Sequence, residues 1–365
     1  FSAGPTSAFL AARWPDSYVA DRFRNDWLQE LAQRGDWSTF LRIQPGFRMN
    51  DDRGVVCSGV LARHVTGHPM EGMGEIHEAA RQAWWSQKDA DRACDAMAQT
   101  LLTAGVLTQD DVWRKLRLAV ELDRPALVQQ SSRLMGDVIG GAIARLMSQP
   151  QAFLMPSTDG AGKPIVGMSD KELRQPPGSS IGPAGKKAKG KSKNKPSKNK
   201  PNLTPIPLAI PADAQGSLNL LAFIRWTNID PAAAAQAMSD PSARIRWKWS
   251  SDETAWAWAQ LGRAHAWRLS NDAAAFYERA LADRTLANAS SMLLPPKTAA
   301  SWSSETLAWM ARAAIRSATA GEASRWSLVE QAIDAMGPDQ LTDAAWTYWK
   351  ARALMARAGA ASTDP

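Results

Sequence analysis

The sequence predicts an all-α chain, an irregular superhelical solenoid of antiparallel helix pairs interrupted by one Lys-rich disordered insertion. Three observations carry this. Apolar residues recur three and four apart through most of the 365 residues, the period of a single helix face. Stops built from Gly, Asp and Ser break that period at intervals of about ten to eighteen residues, and the alternating Val, Ile and Thr runs that signal strands are missing. Between 151 and 213 the composition changes abruptly, with ten of the 22 prolines and no tryptophan.

Val19, Phe23, Trp27 and Leu31 fall at i, i+4, i+8 and i+12, one stripe of a helix whose other face carries Asp21, Arg22, Arg24 and Gln29. Gly35 ends it, Asp36 caps the next helix, and Trp37, Phe40 and Leu41 open a new stripe. Further stops stand at Thr66-Gly67-His68-Pro69, Thr103-Ala104-Gly105, Ser270-Asn271-Asp272, Ala320-Gly321-Glu322 and Ala358-Gly359.

The clearest helix pair is Glu253 to Arg268 followed by Asp272 to Ala282, where small Ala residues allow close approach and Trp, Phe, Tyr and Leu fill the gaps. A second is Ser304 to Thr319 with Glu322 to Ala335, and a third opens at Asp343. Such hairpins are similar to those of tetratricopeptide-type stacks, which bury their core between neighbours and leave a surface free for binding. Their spacing here varies too much for a strict repeat.

The domain reading follows: 1–152 and 214–365 are two parts of one superhelix, and 153–213 is a Pro/Gly/Lys-rich insertion. Residues 156–208 hold too little apolar surface to offset the entropy of ordering and are expected to be disordered. Within them Lys186 to Lys200 reads KKAKGKSKNKPSKNK, eight lysines and no acid; without it the formal charge of +7 becomes −1. The basicity therefore belongs to one tract and not to a nucleic-acid-binding face. The tract without interleaved aromatics suits salt-sensitive attraction to anionic polymers, or a solvated linker, and no specific nucleic acid. Gly185 to Ser192 matches the phosphate-loop pattern letter for letter, but neither a strand precedes it nor a helix follows, so the match carries no phosphate site.

Apolar runs are too short for a membrane-spanning helix. Cys57 and Cys94 are the only cysteines, which excludes a four-cysteine metal frame and leaves one disulfide or two free thiols. His64, His68 and His77 sit about Gly67 and Pro69, where the interrupted helix favours a solvated turn over a metal site; neither a metal nor another cofactor is expected. Trp256, Trp309 and Trp346 lie mid-stripe and read as core. Trp247 and Trp249, with Arg246 beside them in RIRWKWSSDE, form an amphipathic cluster less obviously buried and are the candidate substrate-binding residues. Ser250 or Ser251 with Glu253 there also matches a helix-capping pattern.

Several strings then fall in one order: DWLQELAQRGDW (26–37), the Cys57 segment, ACDAM (93–97), WRKLRLAVELDRPALV (113–128) and DAAWTYWKARALMARAG (343–359). Together they resemble the N-terminal superhelical portion of soluble lytic murein transglycosylases, over about 18–152 and 215–360. The resemblance implies a periplasmic, ring-like, noncatalytic scaffold and a Cys57–Cys94 disulfide. It implies peptidoglycan glycan strands as substrate, and a following lysozyme-like domain as the scaffold's partner, cleaving the MurNAc-β-1,4-GlcNAc bond with 1,6-anhydro product. That chemistry needs one Glu as acid and then base. The family's Glu-Ser and Gly-Leu-Met-Gln motifs occur nowhere in 1–365, so the catalytic domain is expected to lie outside this chain and no acid here is given the catalytic role; the resemblance also leads one to expect the first few superhelical helices outside it. The rival reading is a tetratricopeptide-like protein-interaction scaffold unattached to an enzyme.

Overall fold

The computed structural model describes residues 17–49, 51–67, 73–155, 210–290 and 302–361. The chain divides into two units, Phe1–Leu154 together with Ile210–Pro365, and Met155–Ala209. The second unit, with the lysine tract and the phosphate-loop match, lies outside the described residues but for Met155. No strand occurs among the described residues, and no helix among them is long and apolar enough to cross a membrane.

Helix α1 (Tyr18–Arg34) starts where Ser17 Oγ accepts the Ala20 N–H at 3.2 Å and stops at Gly35, whose φ of 70° is left-handed. Its buried face differs from the expected stripe: Ala20, Asp21, Asn25, Leu28 and Leu31 turn inward, and Val19 is exposed. The reason is Asp21, whose carboxylate accepts the backbone N–H groups of Arg48 at 3.0 Å and Met49 at 2.8 Å. Burial raises its proton affinity, but those two N–H groups and Arg24 outweigh burial and hold the carboxyl below its usual value. Leu28 and Leu31 then pack with Phe40, Phe47, Val55 and Ala62.

Helices α2 (Trp37–Ile43), α3 (Arg53–Thr66), α4 (Met73–Ser86) and α5 (Arg92–Thr103) continue the stack, each of α2, α3 and α5 capped by an Asp at Asp36, Asp52 and Asp91. Cys57 of α3 and Cys94 of α5, both buried, are joined as a disulfide with Cα atoms 4.9 Å apart. Helices α6 (Gln109–Glu121), α7 (Pro125–Ser132), α8 (Gly136–Ser148) and α9 (Pro150–Leu154) lead to the insertion.

The chain re-enters as α10 (Ala214–Ile229), in which Leu218, Leu220, Leu221, Ala222, Phe223 and Ile224 are fully buried. A helix buried all round sits at the centre of a stack, and α10 packs against α6, α8 and α9 before the insertion and against α13 (Ser251–Trp267) after it. The two parts of the superhelix are therefore one continuous core. Helices α11 (Pro231–Met238) and α12 (Ala243–Arg246) precede α13; α14 (Ala273–Ser290), α15 (Ser304–Thr319), α16 (Trp326–Asp334), α17 (Pro338–Leu341) and α18 (Ala344–Ala361) follow. The pairs α13 with α14 and α15 with α16 are the expected hairpins. The expected stop at Gly359 is not used, and α18 runs through it to Ala361.

Candidate functional site

The RIRWKW segment is where the sequence placed a binding cluster, and the structure overturns that placement. Lys248 takes a left-handed φ of 57°, and the two flanking tryptophans both turn onto α10. Trp247 and Trp249 are 1% and 5% exposed, lie 5.5 and 5.2 Å from the Phe223 ring, and stand 4.8 Å from each other. Asn219 Nδ2 donates to the Trp247 carbonyl at 3.0 Å. Neither ring has a face left for a sugar; the aromatic area of two tryptophans, roughly 150–250 Å² each, goes into the core instead. Arg246 stays outside and pairs with Asp240. Glu253 accepts the Ser250 N–H at 3.0 Å while Ser250 Oγ accepts the Glu253 N–H at 3.1 Å, the capping box that starts α13.

The richest polar constellation lies along α6, where Arg114, Arg117 and Glu121 share one face. At its start Asp111 is the hub. It closes the α6 capping box with Thr108 and accepts from Arg81 at 2.6 Å, with His77 Nε2 at 3.2 Å. Burial pushes the Asp111 carboxyl up, but the Thr108 N–H, Arg81 and His77 overcome that and hold it low. His77 thus sits in α4 against an acid and not in a solvated turn; His68 lies outside the described residues.

Arg114 follows between two like charges, Arg81 and Arg117, and burial together with that repulsion lowers its proton affinity. Its guanidinium lies 4.7 Å from the Trp85 ring, with Arg81 5.1 Å from the same ring. Arg117 lies 5.5 Å from the Trp256 ring and reaches Ser217 at 3.2 Å and Glu253 at 3.3 Å, tying α6 to α10 and α13.

At the end of α6, Glu121 is fully buried and accepts from the hydroxyls of Ser303 and Thr306 of the α15 start. Its backbone carbonyl takes Arg263 Nη2 at 2.7 Å, and Arg263 also binds Asn228 Oδ1 at 2.8 Å and Gln260 Oε1 at 3.1 Å. Gln260 Nε2 and the Tyr277 hydroxyl complete the network at Thr306, each 3.1 Å from its acceptor. A buried carboxylate whose Oε1 takes both hydroxyls, in a network drawn from α6, α10, α13, α14 and α15, is a brace between the two parts of the superhelix. Among the described residues, no group of three or more His, Cys, Asp or Glu side chains comes together in a metal-holding arrangement.

Sequence reasoning missed this seam, because its partners are up to 185 residues apart and its charged members, Arg117, Glu121 and Arg263, look like ordinary exposed charges of amphipathic helices. It placed Trp256 and Trp346 correctly in the core, while Trp309 is only partly buried.

Solved structures similar to this fold include soluble lytic transglycosylases. An inactive mutant of lytic transglycosylase Slt from Pseudomonas aeruginosa aligns over 97% of this chain at 18% identity and a TM-score of 0.43, with 45% of its own length covered. The 70-kDa soluble lytic transglycosylase in complex with bulgecin A aligns over 98% of this chain at 17% identity and a TM-score of 0.41, with 45% of its length covered. The 70-kDa enzyme from Escherichia coli aligns over 98% at 16% identity and 0.40, with 48% covered. The chain thus spans less than half the length of these structures. No family model matches it, and no curated protein does.

Proposed function

We propose that 1–365 is the noncatalytic superhelical scaffold of a periplasmic peptidoglycan lytic transglycosylase. A lysozyme-like domain beyond these residues would cleave the MurNAc-β-1,4-GlcNAc bond and release a 1,6-anhydro end, while the scaffold positions and restricts the glycan strand. The observation that carries this reading is the Cys57–Cys94 bridge. The family resemblance of the sequence calls for that pairing, and an oxidising compartment is where such a bridge persists. A continuous all-α stack joined across the insertion by α10, and braced by residues facing inward from five helices, fits a rigid scaffold better than a site for chemistry.

The experiment is to express the full reading frame and 1–365 separately and to digest purified sacculi with each. The full protein is expected to release 1,6-anhydro muropeptides, and 1–365 to bind sacculi without releasing them. A full reading frame that carries no Glu-Ser-containing lysozyme-like segment would sink the reading. The proposed attraction of Lys186–Lys200 to anionic wall polymers is tested by sedimentation with sacculi at low and high salt; binding unchanged by deleting 186–200 would remove the tract from the mechanism.

A further inference from the structure

Away from the α6 seam, side chains of α13, α15 and α18 gather at the surface around one tryptophan. Trp267, the last residue of α13, is 66% exposed, and among the tryptophans of the described residues it is the only exposed one. Leaving an indole in water forgoes the burial that makes tryptophan useful in a core. Yet its orientation is fixed: its ring meets Trp309 of α15 at 5.1 Å between centroids and 71° between planes. Trp309 is itself anchored, its indole N–H donating to Glu305 Oε1 at 2.8 Å.

Next to this pair the Arg312 guanidinium lies 5.0 Å from the Trp309 ring centroid and 5.5 Å from that of Trp346 on α18. Arg312 is exposed, and among the described residues it has no ion-pair or hydrogen-bond partner. Trp267 and Arg312 thus both lie against the Trp309 ring, so the surface carries an exposed indole and, on the same anchoring ring, a planar fan of five N–H donors held by two aromatic rings.

We propose that Trp267 and Arg312 form a carbohydrate-binding surface. A pyranose has an apolar C–H face that covers an indole and a rim of hydroxyl, acetamido or carboxylate oxygens that accept from a guanidinium, so one ligand satisfies both residues. A purely apolar partner would cover Trp267 but strip water from Arg312 without giving it an acceptor, which costs more than the ring gains. The ligand class is an N-acetylated hexosamine chain; that choice of sugar rests on the proposed function, whereas the geometry asks only for a saccharide.

The test is titration of 1–365 with chitotetraose and with peptide-free murein glycan strands, followed by tryptophan fluorescence. Trp267→Ala is expected to weaken both on the order of tenfold, while Trp267→Phe, which keeps a ring, stays within about threefold. Because position 267 is exposed, unchanged circular dichroism is expected for both variants. Arg312→Gln is expected to weaken the carboxylate-bearing murein strand more than neutral chitotetraose. Wild-type protein that binds neither glycan, or Trp267→Ala that binds as the wild type does, would overturn the site; murein binding untouched by Arg312→Gln would overturn the two-residue surface. These results are separable from the fate of the proposed function. A full protein without transglycosylase activity would sink that reading and still leave a Trp267-dependent loss of chitotetraose binding in place.

Discussion

Gly216 of α10 and the carbonyl of Lys248 are in direct backbone contact: a Cβ at 216 would lie 2.6 Å from that oxygen. The contact seats the left-handed turn that delivers Trp247 and Trp249 to Phe223. Because the obstructing atom is backbone, it cannot swing aside as a side chain does. Gly216→Ala is expected to cost roughly 2–3 kcal/mol. Gly141→Ala in α8, where a Cβ meets nothing within 4 Å, is expected to gain up to about 1 kcal/mol from helix propensity. Urea unfolding of the two variants checks this, and equal midpoints would mean that the Gly216 seat is not closed.

The Cys57–Cys94 bridge spans 37 residues of sequence and ties α3 to α5. In the chain-entropy model a loop of that length stabilises the fold by roughly 3–4 kcal/mol. The double variant Cys57→Ala, Cys94→Ala is therefore expected to melt well below the oxidised wild type, and added reductant is expected to lower the wild-type midpoint without moving the variant. Labelling of two thiols in the purified wild-type protein before reduction would contradict the bridge.

The helices were legible because their punctuation is local: Gly35, Asp36 and the Ser250–Glu253 box act within one turn, and the Ser304–Thr319 helix has the limits its sequence predicts. What faced inward was less legible. Along α1 hydrophobicity points to Val19, Phe23 and Trp27, but the long-range demand of the Arg48 and Met49 N–H groups turns Asp21 to the core, and the face rotates with it. In RIRWKW the alternation of charge and aromatic suggests a surface, but one left-handed residue, invisible in composition, sends both tryptophans inward. Gly359 looks like a stop because Gly often is one, yet α18 continues through it. The disulfide pairing came from the family resemblance of the sequence and not from spacing.

Glu121 links the part before the insertion to the part after it through Ser303 and Thr306. Glu121→Ala leaves the Ser303 and Thr306 hydroxyls short of an acceptor in a buried setting, with an expected loss of about 2–4 kcal/mol. Thr306→Val removes one donor to the same carboxylate. A double-mutant cycle between them is expected to show coupling of at least about 1 kcal/mol in chemical denaturation. Strict additivity would show that the two side chains do not act as one brace.

Lys115 of α6 is fully buried, with Nζ donating to the carbonyls of Trp84 and Gln87 near the end of α4, each at 2.5 Å. Burial pushes the ammonium down to about 7, with Asp91 opposing the shift. The ordinary lysine value of 10.5 holds in the unfolded chain, so between about pH 7 and 10.5 the unfolded state binds more protons. Below that window the full cost of burying the charge is present, up to about 5 kcal/mol, and it fades as pH rises through the window. Lys115→Met loses both hydrogen bonds and also the titration. The stability of the wild type relative to Lys115→Met is therefore expected to rise between pH 7 and 10, by up to about 1.4 kcal/mol per pH unit. Urea unfolding of both proteins at four pH values measures this difference directly. Parallel pH profiles would show that Lys115 stays charged, held by the two carbonyls at the α4 end.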